Sequence, residues 1–155
     1  MEELLKKIET YNIINYLLPG VIFGVIFTYL IGINIYDENF IIATVEYYFT
    51  GLVLSRIGSV MIKPILKKMN VIYEKDYKQF IKKEKEDEKI SLLVREGNQY
   101  RTFIATFLTL ILVELVNIFM GVKDKYMMIF VFIFLTILFT FSYRKQTKLI
   151  TKRIE

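Results

Sequence analysis

The stretch YMMIFVFIFLTILFTFSY, residues 126–143, constrains this chain more than any other. Wound as a helix it is apolar on every side, whereas a helix at the surface of a water-soluble domain keeps one face for water. Its length falls within the roughly 17 to 25 residues that cross the hydrocarbon of a bilayer. Three other runs share that character: Pro19 to Ile35, Phe40 to Ile62, and Thr102 to Met120. Four buried helices in a soluble all-α domain are the alternative, and residues 126–143 argue against it. The chain therefore reads as an all-α integral membrane protein with four transmembrane helices, an N-terminal interfacial helix and a small helical cytoplasmic segment.

Composition agrees, because 54% apolar and 15% aromatic residues in 155 exceed what one small soluble core needs. Cysteine and histidine are both absent. That removes disulfides, thiolate nucleophiles, imidazole acid–base chemistry and most zinc or haem ligation. The serines, Ser55, Ser59, Ser91 and Ser142, have no such base to activate them. No enzyme, no metal and no cofactor are expected. MEELLKKIET lacks the apolar core and cleavage site of a secretory signal, so the N-terminus is expected to stay.

Of the 21 basic residues, all but Arg56, Lys123 and Lys125 fall in three places: before the first run, between the second and third, and after the fourth. The positive-inside rule then predicts a multi-pass protein with both termini and the central loop cytoplasmic. Five segments follow: an interfacial amphipathic helix over 1–18, a transmembrane hairpin over 19–62, a cytoplasmic helical segment over 63–101, a second hairpin over 102–143, and a basic tail over 144–155.

In the first segment Leu4, Leu5, Ile8 and Tyr11 recur at helical spacing opposite charged residues, which suits the headgroup plane. Pro19 marks the start of span one, a kinked longer helix being the other account. In the cytoplasmic segment Pro64 marks the exit from span two. Asp87 can cap a helix whose register, through Ile90, Leu93 and Val94, continues into span three. The lysines here suit anionic headgroups. Their interleaving with Glu84, Glu86, Asp87 and Glu88 tells against nucleic acid.

Small residues recur every fourth position in span one, at Gly20, Gly24, Thr28 and Gly32, and are matched in span two by Gly51, Ser55, Gly58 and Ser59. Such stripes let backbones approach closely, either within one subunit or between subunits of a homo-oligomer. Glu46 and Glu114 each lie about 9 Å from the outer ends of spans two and three. Two acids at one depth with no base beside them are expected to be protonated or to share a proton, with Asn117 one turn from Glu114. Arg56, nearer the inner end, either snorkels or donates to the carbonyl of Asn15, which Pro19 leaves without a helical partner.

Two answers fit these groups. They are polar glue and an anchor, or they line a pore, with Glu46 and Glu114 as an acidic ring and Arg56 with Thr residues of spans three and four in the inner half.

The segments YNIINYLLPG, YYFTGLVLSRIGS and FSYRKQTKLITKRI resemble a poorly characterised group of small bacterial four-span membrane proteins of about this length. The layout is also similar to membrane components of bacterial antiviral (anti-phage) systems. That resemblance implies an oligomeric effector or sensor of the bacterial inner membrane that perturbs or monitors the membrane, with ion-channel-like behaviour as one form. The alternative is a non-conducting anchor that recruits a soluble cytoplasmic partner through residues 63–101. The likeness is one of layout, and it assigns no site residues.

Overall fold

The structure, a computed structural model, describes residues 11–74, 76–121 and 126–155. Among them the protein is all-helical, and four helices are long and apolar enough to span a membrane. These are α1 (Ile13–Ile31) and α2 (Phe40–Lys68), α4 (Glu88–Phe119) and α5 (Tyr126–Ile154). A short amphipathic helix, α3 (Tyr77–Glu86), lies between α2 and α4. Residues 1–10, where most of the interfacial helix was expected, lie outside the described residues.

Helix α4 is the centre of the bundle. Its longest interface is with α5, and the α1–α2 hairpin packs on it as well. Phe107 and Leu110 of α4 bury against Leu30 of α1 and Phe132 of α5 in one core layer. Ile104 and Tyr143 bury with Leu66 and Ile72 in a second. Helices α1 and α4 run parallel in a fixed register. Asn98 donates to the Tyr11 hydroxyl, Thr102 to the Asn15 side-chain oxygen, and Asn117 to the Leu30 carbonyl, three pairs that are each 87 residues apart.

Neither proline ends a helix. The expected start of span one at Pro19 and exit from span two at Pro64 are replaced by continuous helices, and the same local device explains both. A proline inside a helix lacks a donor and clashes with the carbonyl four residues earlier. Here the turn before each proline widens to π geometry, over Ile13–Leu17 and over Gly58–Ile62. The Leu18 N–H reaches back to the Ile13 carbonyl, and the Lys63 N–H reaches back to Gly58. The wider turn makes room for the ring and lets the helix pass. Residues 11–18 thus continue into α1, and residues 63–68 complete α2.

Local sequence stops the helices elsewhere. Gly32, at a φ of 79°, closes α1 in the left-handed conformation that lacks a β-carbon penalty. Asn39 caps α2 by accepting from the Ile41 N–H. Asn70, also left-handed, turns the chain so that the Val71 N–H bonds back to Leu66 and Ile72 enters the core. Asp87 caps α4 by accepting from the Lys89 N–H at 3.0 Å. From there α4 runs unbroken through Gly97 and Arg101 into the apolar run. The tail over 144–155 is the last part of α5, tied to α4 by Gln146 to Leu93 and Glu96 and by Arg153 to Asp87.

Candidate functional site

The polar groups inside the bundle separate. Glu114 is buried at 1% exposure and accepts from Asn117 at 3.5 Å. The Asn117 amide also reaches the Leu30 carbonyl at 3.4 Å. That carbonyl belongs to the last turn of α1, where no intrahelical donor remains, so Asn117 satisfies an orphan acceptor. Glu46 does something different: it accepts from the Asp37 N–H at 2.9 Å and so holds the α1–α2 connector onto α2. The two acids thus have separate partners.

Arg56 is exposed on the outer face of α2, and Asn15, buried at 1%, takes its side-chain bond from Thr102. Depth explains the exposed arginine. Gly58 faces the Arg101 backbone, and Asn15 meets Thr102. Arg101 and Tyr143 of α5 line the same cleft, so all four helices reach one level there. From Thr102 to Asn117 the rise is about 22 Å, a turn or so short of a hydrocarbon core of about 30 Å. Gly58 of α2 shares the Arg101 level. Arg56 sits only about 3 Å inside the Arg101 level, within snorkelling reach of headgroups.

Thr106, Thr109, Thr136 and Thr140 each donate to the carbonyl four residues earlier, and Thr102 shares its one proton between the Asn98 carbonyl at 2.9 Å and the Asn15 side-chain oxygen at 3.4 Å. Thr102 and Thr106 are fully buried between helices.

The small-residue stripes are resolved by direct contact. A β-carbon on Gly20 would overlap the Tyr47 carbonyl, and one on Gly51 would overlap the Tyr16 carbonyl. Tyr16 and Tyr47 precede these glycines by one turn, so the approach of α1 to α2 is reciprocal. Gly24 lies under the rings of Tyr36 and Tyr47, with Ser55 buried on the same hairpin. These contacts lie inside the protomer. Gly32 takes no part in packing, since a β-carbon there meets nothing within 4 Å. Thr28 accepts the Gly32 cap bond through its carbonyl, and Ser59 is a half-buried residue of the second π turn.

Beyond the Arg101 level the helices continue. Thirteen residues of α4, from Glu88, and eleven of α5, to Ile154, project by about 20 Å and 16 Å at 1.5 Å per residue. With the end of α2 and the turn after it they wall a cleft of about 640 Å³. Its polar lining includes Lys63, Lys67, Glu74, Asn98, Arg101 and Thr147. Lys63 and Lys67 both pair with Glu74, at 2.5 and 3.1 Å. Burial alone would raise the Glu74 carboxyl, but the two lysines outweigh it and hold the group below its ordinary value. Arg101 is different. Its side chain is buried at 9% exposure, no carboxylate pairs with it among the described residues, and its Nε finds no hydrogen-bond partner there.

No family model, curated protein or solved structure matches this chain. The cleft stands on its own geometry.

Sequence reasoning counted Arg101 only among the basic residues of the connecting segment. The signal that would have found it is periodicity. Arg101 lies one turn from Gly97 and one turn from Ala105, both buried on the same stripe of α4, so a helix read through residue 101 points the arginine inward. The cleft itself needed the return of residues 69–74, which follows from the Asn70 turn.

Proposed function

We propose that this multi-pass protein works at the cytoplasmic face of the bacterial inner membrane as a homo-oligomeric sensor or anchor that does not conduct. The observation that carries this reading is the helical projection beyond the Arg101 level, which forms a built, basic-sided cleft. Glu46, Glu114 and Asn117 are meanwhile engaged in bonds within the chain. A soluble partner docking on residues 63–101 and anionic headgroups around them are the interactions this end suits. Work beside an antiviral system rests on the layout alone and is tested by phage challenge of cells with and without the gene and its neighbours.

The pore reading keeps one observation in its favour. Helix α2 leaves Arg56 exposed and Glu46 half-buried on the outside of the protomer, where an oligomer brings several copies together. Conductance of the purified oligomer in planar bilayers separates the two. Absence of current from assembled wild type supports the non-conducting reading. A cation-selective current that Glu46→Gln reduces overturns it.

A further inference from the structure

We propose that the cleft at the basic end binds a phosphate-bearing anion, supplied either by the headgroup of an anionic phospholipid or by a soluble phosphate compound. The inference deepens the preceding one: it rests on the basic end lying at a membrane surface, but on neither orientation nor the absence of conduction.

Three observations carry it. Arg101 is a buried cation with an unpartnered Nε and lines the cleft. Burying a charge without a partner is costly, and a guanidinium presents a planar fork that matches a phosphate or carboxylate through two parallel bonds. Other polar side chains border the same space: Asn98, whose amide also bonds the Tyr11 hydroxyl, Tyr143 and Thr147 line the wall. The acids nearby do not fill the role. Glu74 is held by Lys63 and Lys67, and Asp76 is exposed.

Position selects phosphate among anions. Gly58 and Asn15 meet α4 at Arg101 and Thr102, and on that side lie Lys63, Lys67 and the basic end of α5, a side suited to phosphate headgroups. Size agrees: about 640 Å³ lies within the usual range for small-ligand sites and exceeds a bare phosphate, leaving room for a glycerol backbone beside Val94 and Ile150.

The test is binding to the full chain in detergent, with phosphatidylglycerol, phosphatidylcholine and inorganic pyrophosphate as probes. Native mass spectrometry reads retained lipid, and thermal shift reads both lipid and pyrophosphate. Phosphatidylglycerol should be retained over phosphatidylcholine by wild type, and Arg101→Gln should reduce retention about tenfold or more, the effect of losing a charge-assisted contact. Arg101→Lys should keep part of it. Arg144→Gln removes an exposed charge near the same level and should change little. Because Arg101→Gln also alters the packing of a buried site, Val94→Phe provides an independent arm: it narrows the cleft without touching a charge and should lose the lipid equally. Stabilisation by pyrophosphate that Arg101→Gln abolishes, without lipid selectivity, assigns the soluble source. Equal retention by wild type, Arg101→Gln and Val94→Phe, or a loss in Arg144→Gln as large as in Arg101→Gln, overturns the proposal.

Discussion

Gly20 of α1 and Gly51 of α2 face each other so closely that each occupies the space a β-carbon would need, against a backbone carbonyl of the other helix. A carbonyl inside a helix cannot swing aside, whereas an aromatic ring can. Gly20→Ala and Gly51→Ala should therefore destabilise the bundle by at least the roughly 1–3 kcal/mol typical of overpacking. Gly24→Ala, which meets the rings of Tyr36 and Tyr47, should cost less. Thermal denaturation followed by size-exclusion in detergent ranks the three. A Gly24 variant worse than the other two would contradict the arrangement.

Asn117 joins α1 to α4 at the far end of the same register. Its removal by Asn117→Ala leaves the Leu30 carbonyl and Glu114 without their donor, a loss of roughly 1–3 kcal/mol. Glu114→Gln keeps an acceptor of the same size and should be nearly silent, while Glu114→Ala should destabilise. Chemical denaturation in mixed micelles, with Glu46→Gln as a parallel control, checks this order.

Glu74 gives the basic end an acid-sensitive latch. Its carboxyl is lowered in the folded protein because Lys63 and Lys67 outweigh the effect of burial. A lowered folded value means that the carboxylate contributes stability above its unfolded value, near 4.5, and that this contribution is lost as pH falls through the folded value. Amide exchange over residues 63–74 should be protected near neutrality and rise below about pH 4. Glu74→Gln should remove the pH step and leave exchange high throughout.

Asp87 serves two helices at once, accepting from the Lys89 N–H and from Arg153 at 2.6 Å. Asp87→Asn keeps a good cap and loses the ion pair, and Asp87→Ala loses both. Fraying at the start of α4 should therefore rank wild type below Asn and Asn below Ala when followed by limited proteolysis. Equal cleavage of Asn and Ala variants would mean that the Arg153 contact dominates.

The basic residues predict an orientation that labelling can check. Tags at either terminus and at residue 85 should resist an impermeant label in intact cells, and a tag at residue 123 should react. Labelling at residue 85 would reverse the topology.

The apolar stretches by themselves determined that the chain is all-helical with four spans, because residues 126–143 offer no face for water and no side-chain detail alters that. The Asp87 cap and the register of Ile90 likewise carried α4 down from residue 88, since capping and periodicity are local. Both prolines misled for an equally physical reason. A proline's effect depends on whether the preceding turn can widen, and the π turns over Ile13–Leu17 and Gly58–Ile62 are supported by packing against other helices. The glycine stripes announced close approach without saying to what; only the packed hairpin set Gly20 against Tyr47 and Gly51 against Tyr16. Glu46 and Glu114 shared a depth along the helix axes, but rotation about those axes, which tertiary packing fixes, turned Glu46 to the Asp37 N–H, while the Glu114 bond to Asn117 one turn along the same helix was local and legible. Arg101 depended on the same rotation. Its charge was legible in the sequence, while its burial beside Tyr143 and the cleft around it exist only because Asn70 folds residues 71–74 back over α4 and α5.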